Sequence, residues 1–172
     1  PQNVTVTGRN IFDQELSFAY HSGGASYPPG KTIIPAGIRL ISSGSPAWAY
    51  YAAFDIGPFG IFAGKTMHIR TTAIASAANI GRVMIVLAND DYSTTATLNF
   101  SASAVGALEI DHVFPASHTL TRVCLAFYIN NPTYGTVAAG DYMDYTDLMV
   151  QLGSAVHPYA PYVGQTYLVD TG

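Results

Sequence analysis

Arg122-Val123-Cys124-Leu125-Ala126-Phe127-Tyr128-Ile129 is the stretch whose reading decides the fold. Side chains alternate across an extended chain, so Val123, Leu125, Phe127 and Ile129 share one face, and Arg122, Cys124, Ala126 and Tyr128 share the other. Helical periodicity would scatter the four large apolar residues around the axis. One apolar face and one mixed face is the pattern of a strand in two packed antiparallel sheets. The same alternation returns on both sides of this stretch. Leu148, Val150 and Leu152 oppose Asp147, Met149 and Gln151; Met67 and Ile69 oppose His68, Arg70 and Thr72. In 47–55, Trp48, Tyr50 and Phe54 share a face against Ala49, Tyr51 and Ala53, and Trp48 is expected to anchor the core.

Helical spacing is nearly absent elsewhere, and Gly and Pro punctuate the chain at short intervals. Strands are expected at 4–7, 38–42, 47–55, 65–75, 82–87, 95–100, 108–114, 120–129 and 145–152, with a last short one at 166–170. The stretch 21–31, with Gly23, Gly24, Pro28, Pro29 and Gly30, reads as loop, and Gly57-Pro58-Phe59-Gly60 as a turn. Eight or more such strands predict an all-β antiparallel β-sandwich of jelly-roll type. It is expected to occupy residues 1–153, with 154–172, which holds Pro158 and Pro161, as a crossing or linker segment.

Only 10% of the 172 residues are charged, so the surface must be neutral and polar, suited to contact with sugars or other protein subunits. The net charge of −4, with seven scattered Lys and Arg, gives no basic patch for nucleic acid. No apolar run reaches the length of a membrane span, so no membrane insertion is expected. The one cysteine, Cys124, lies in an apolar run and reads as a buried, inert thiol.

Catalytic patterns are missing. There is no Gly-x-Ser-x-Gly elbow and no phosphate-cradling glycine loop. Glu109 and Asp111 share a strand face, yet read as decoration of a solvated surface rather than as a glycosidase pair. The five histidines show no metal-binding spacing. Asp141, Asp144 and Asp147 recur at every third residue; a structural Ca²⁺ is the alternative reading, but no cofactor or metal is favoured, since turn aspartates usually bond their own backbone. No catalytic residue is assigned. The ligand-binding candidates are Tyr128 and Arg122 on one strand face, Arg70 and Gln151 on outward strand positions, and the loop tyrosines Tyr92 and Tyr134.

Both ends carry a resemblance. Gly8-Arg9-Asn10-Ile11-Phe12-Asp13 is similar to the Gly-Lys-Asn-Leu-Phe opening of tail and minor structural proteins from phages and prophages of Gram-positive bacteria. Tyr145-Thr146-Asp147-Leu148-Met149-Val150-Gln151-Leu152-Gly153 resembles the strand those modules finish with Gln-Leu-Glu, and Pro158-Tyr159-Ala160-Pro161-Tyr162-Val163-Gly164-Gln165-Thr166-Tyr167 resembles their Tyr-Glu-Pro-Tyr-x-Gly-x-x-Tyr signature. Gly153 and Ala160 stand where the family has Glu. The resemblance implies a carbohydrate-binding-module-like jelly roll in a phage tail or baseplate protein, non-catalytic, part of the virion and extracellular in action. Its implied partners are a host cell-surface glycan, neighbouring tail or baseplate domains, and two further copies in a homotrimer. An architectural tail-fibre module that spaces or oligomerises its neighbours is the alternative, as is a carbohydrate-binding module of a secreted glycosidase.

Overall fold

A computed structural model describes residues 10–21, 30–44, 50–130 and 137–153. In chain order these residues form β1 (Phe18–His21), β2 (Gly30–Ile34), β3 (Gly37–Ile41), β4 (Tyr50–Pro58), the short helix α1 (Phe59–Phe62), β5 (Thr66–Ala75), β6 (Val83–Ala88), β7 (Thr95–Phe100), β8 (Gly106–Val113), β9 (Arg122–Ile129) and β10 (Tyr142–Leu152). They build two five-stranded sheets: a front sheet, β1-β4-β9-β6-β7, and a back sheet, β2-β3-β10-β5-β8. Every pairing is antiparallel, and the two sheets face each other as a jelly-roll sandwich.

The core lies between the inward faces that alternation dictates. Val123, Leu125, Phe127 and Ile129 of β9 meet Met143, Tyr145, Leu148 and Val150 of β10 there. Phe12 sits edge-on to Phe54 and Phe127, with ring centroids at 5.9 and 5.5 Å, and Phe127 lies 4.9 Å from the Tyr145 ring. Tyr145 and Leu148 both point inward although they are an odd number of positions, three, apart. A register shift between Thr146 and Met149, with Asp147 at φ 50°, restores the parity.

Asn10 explains part of the opening motif. Its Oδ1 accepts from the N–H of Val150 at 3.0 Å and of Phe12 at 3.1 Å, and its Nδ2 donates to the Leu148 carbonyl at 2.6 Å. The Ile11 N–H donates to the Val150 carbonyl at 2.8 Å. β3 pairs with β10 only from Tyr142 to Thr146, so residues 10–12 take over the edge of β10 beyond the shift. A buried amide here does the work of a strand backbone.

The structure departs from the sequence expectation at the periphery. β1 and β2 flank the stretch 21–31, of which His21 closes one and Gly30 opens the other. Both are edge strands. β2 is mostly solvated, so its residues show none of the alternation that marks a half-buried strand. The expected turn at 57–60 is instead the end of β4 and the start of α1. Residues 1–9, 22–29, 45–49, 131–136 and 154–172 lie outside the described residues, and with them the expected strands at 4–7 and 166–170, Trp48 and the C-terminal signature. No helix among the described residues is long and apolar enough to cross a membrane.

Candidate functional site

The outer face of the front sheet is the candidate site. On its central strands the outward positions carry mostly small or unbranched side chains: Ala53 on β4, Cys124 and Ala126 on β9, Met84, Val86 and Ala88 on β6. These six are buried although they point away from the core, and Ala19, Tyr51, Tyr92 and Tyr128 pack against them. Burial pushes the Cys124 thiol up to about 12, and the nearby Asp55 carboxylate adds to the effect. The thiol is buried, as its neighbours in sequence suggest.

Polar and aromatic groups stand at both ends of this floor. At one end Tyr51 and Tyr128, cross-strand partners on β4 and β9, stack with centroids 5.2 Å apart and planes 19° apart. Burial raises the Tyr51 phenol, and Tyr128 adds to it. Arg82, two residues before Met84 and so on the same face, lies with its Cζ 5.8 Å from the Tyr128 ring and 4.9 Å from the Phe100 ring. Its Nε donates to Ser103 Oγ at 2.6 Å. The row Phe100–Arg82–Tyr128–Tyr51 thus crosses the sheet from β7 to β4.

At the other end Arg122 donates from Nε to Asp55 Oδ2 at 2.7 Å, and its Nη2 lies 2.5 Å from the same oxygen. The Tyr92 hydroxyl donates to that oxygen too, at 2.5 Å, and this bond to the carboxylate raises the Tyr92 phenol. Asp55 Oδ1 accepts from the Gly57 N–H at 2.8 Å. Tyr128 lies six positions along β9 from Arg122, about 20 Å at the strand rise.

The row has support from inside the sandwich. The buried Tyr145 hydroxyl donates to the Tyr128 carbonyl, has the Arg82 carbonyl at 3.3 Å, and accepts from the Arg82 N–H at 3.3 Å. The Tyr128 N–H donates to the Arg82 carbonyl at 2.8 Å. One back-sheet side chain therefore fixes the backbone beneath two front-face residues.

Of the residues chosen from sequence, Tyr128, Arg122 and Tyr92 come together on this face. Arg70 and Gln151 do not. They belong to the outer face of the back sheet, because β5 and β10 both lie there. Gln151 is 1% exposed and engaged. Arg70 Nη1 donates to Asp111 Oδ1 at 2.9 Å, and its Nε lies 3.5 Å from Glu109. His68 bridges Asp111 and the Gly153 carbonyl at 2.8 and 2.9 Å. Arg70, with His68 second, holds the Asp111 carboxyl below its usual range. Tyr134 lies outside the described residues. Arg82, Tyr51, Asp55 and Phe100 were missed. The parity of Arg82 with Met84 and Val86 is a usable signal for it, once Tyr128 is taken as an outward residue.

The aspartates of β10 and its approach serve separate ends. Asp141 accepts from the Ala138 N–H at 3.0 Å, Asp144 pairs with Arg39 at 2.7 and 2.8 Å, and Asp147 occupies the register shift. Among the described residues no three His, Cys, Asp or Glu converge to hold a metal ion. Gly153, where the resembling modules carry Glu, sits at φ 128°, a conformation that favours glycine.

No protein-family model matches the chain, and no curated protein matches it in sequence. Its fold is similar to solved carbohydrate-binding modules. One, from work on the promiscuous specificity of such modules in the β-sandwich superfamily, superposes with a TM-score of 0.53 at 16% identity, over 84% of this chain and 63% of its own. The chain thus spans less than two thirds of that structure. A family 11 carbohydrate-binding module from Clostridium thermocellum, in complex with a β-1,3-1,4-mixed-linked tetrasaccharide, is similar over 89% of this chain and 100% of its own, at 12% identity and a TM-score of 0.47. A family 30 module is similar over 93% of this chain and 94% of its own, at 9% identity and a TM-score of 0.47. The first likeness supports the jelly-roll fold; at these identities it speaks for nothing finer, and none of the three concerns a phage tail.

Proposed function

We propose that this chain is a non-catalytic carbohydrate-binding module that takes its glycan on the outer face of the front sheet. The observation that carries this reading is the stacked Tyr51–Tyr128 pair standing beside a floor of mostly small side chains, with hydrogen-bonding groups at both ends. Sugars present apolar C–H faces and hydroxyl rims, and a site for them needs aromatic area together with a few fixed polar groups. The described residues offer no nucleophile–base arrangement beside this face, and the one cysteine, Cys124, is buried. The likeness to carbohydrate-binding modules supports a scaffold suited to this task.

Affinity electrophoresis and calorimetry against a panel of plant, bacterial cell-wall and capsule polysaccharides test the proposal. Binding to at least one glycan, lost in Tyr128→Ala and kept in Arg70→Gln on the other face, is the expected result. A folded protein that binds none, or whose binding is unaffected by Tyr128→Ala, overturns it. Placement in a phage tail or baseplate, with the glycan on a host cell, is the setting we propose from the resemblance. An attached secreted glycosidase is the competing setting, and the genes around the coding sequence separate the two.

The architectural reading rests on a different observation. Edge strand β7, Thr95-Ala96-Thr97-Leu98-Asn99-Phe100, is largely exposed and carries neither charge nor Pro, the usual guards against strand-to-strand association. Light scattering across a wide concentration range tests it, with a trimer as the expected assembly. A strictly monomeric mass throughout removes it.

A further inference from the structure

Four arginines lie among the described residues, and three are neutralised. Arg39 pairs with Asp144, Arg70 with Asp111 and Glu109, and Arg122 with Asp55. Arg82 alone has no carboxylate within ion-pair reach among the described residues, in a chain where acids outnumber bases by eleven to seven. It is nonetheless held in place: Nε is bonded to Ser103 Oγ, the guanidinium lies against the rings of Phe100 and Tyr128, and its backbone is tied to Tyr128 and Tyr145. Asp55 is the one described carboxylate on the outward side of the front-sheet strands, and Arg122 and Tyr92 already claim it. Among the described residues no hydrogen-bond partner claims its two terminal nitrogens, and a guanidinium held in this way is a fork for a planar or tetrahedral oxyanion.

Resting on the carbohydrate-binding reading above, we infer that the glycan is anionic and that Arg82 receives its charged group while a neighbouring sugar ring lies on Tyr128. A uronate carboxylate and a phosphodiester present the same paired oxygens to the fork, so either source fits the chemistry. Because the positive group is fixed before binding, little ordering entropy is spent on it. Phe100, 55% exposed beside Arg82, offers further apolar area at the same end of the row.

The test compares polygalacturonate and alginate, a poly(glycerol phosphate), and neutral galactan and mixed-linked β-glucan by affinity electrophoresis and calorimetry at low and high salt. The expected result is at least tenfold tighter binding to one acidic polymer than to the neutral ones. That binding should weaken as salt screens the contact, and fall at least tenfold in Arg82→Gln with partial recovery in Arg82→Lys. The uronate and phosphate arms identify the source of the anion. Salt dependence of the unmodified protein needs no variant, so the inference stays exposed even if Arg82→Gln melts early. Neutral glycans bound as tightly as acidic ones, with loss in Tyr128→Ala but not in Arg82→Gln, would overturn the anion assignment and leave the carbohydrate reading standing. No binding to any polymer by a folded protein overturns both.

Discussion

The two outer faces of the sandwich are cut from the same strand alternation, yet they spend their polar groups in different ways. On the back sheet Arg39 is matched by Asp144, and Arg70, His68, Glu109 and Asp111 satisfy one another. Arg39 also covers the Tyr142 ring, with its Cζ 3.9 Å from the centroid. The front sheet keeps a floor of mostly small side chains, a stacked tyrosine pair and an arginine without a carboxylate partner among the described residues. A polar residue on a sandwich surface is therefore no sign of binding in itself. What separates the faces is whether the hydrogen-bonding capacity is already used, and that depends on partners from other strands.

The comparison has weak points that experiment can reach. The largest effect belongs to the layer between the faces: Phe127→Ala should cost about 3–5 kcal/mol of stability by denaturant titration. A loss below about 0.5 kcal/mol would mean β9 is turned over and the faces exchanged. Asn10→Ala strips the partners of Leu148 and Val150 and should cost about 1–3 kcal/mol, with the front face untouched. Tyr128→Ala should lower glycan affinity by about tenfold or more, as removal of a central aromatic contact does, while the fold remains. Glu109→Gln, on the back face, should change stability by less than about 1 kcal/mol and affinity not at all, since an exposed ion pair contributes little. An affinity change there would erase the distinction between the faces.

Acidity gives a gentler test. His112 lies half-buried against Phe114, its Nε2 has no hydrogen-bond partner among the described residues, and burial holds its imidazole below the usual 6.5. The folded state favours the neutral ring, so the stability this contributes is present above pH 6.5. It declines as pH falls through that value and the unfolded chain takes up the proton that the fold resists. Melting temperatures from pH 8 to 5 should drop less in His112→Leu than in the unmodified protein. Equal slopes would assign the pH response to other groups.

The central strands were legible because their two faces differ. β9 and β5 emerge with the expected inward residues, and the inward set of β10 follows Leu148, Val150 and Leu152. The edge strand β2 was not legible, since a mostly solvated strand carries no alternation to detect, and β1, with Phe18 against the core and Ala19 against the outer cluster, is only four residues long. The site was legible by half. Tyr128 and Arg122 share a strand and could be read together, whereas Asp55, Tyr92 and Arg82 come from other elements and meet them only through register. Arg70 was chosen by the same argument as Arg122, and nothing in its own strand reveals that β8 brings two carboxylates alongside.

The order of strands in the back sheet also governs how the molecule can be assembled as it leaves the ribosome. β10, made after every other described strand, lies between β3 and β5 and is the lid of the core through Tyr145, Leu148 and Val150. Until it emerges, β3 and β5 each present an open edge, and the Asn10 side chain and the Ile11 N–H lack the Leu148 and Val150 backbone groups they bond to. A nascent chain of this design must hold the strands before β10 in an unsealed state and close in a late step, with contacts some 140 residues apart in sequence forming together. A truncation that removes β10 would thus cost far more than one strand: it would leave two sticky edges and no closed core.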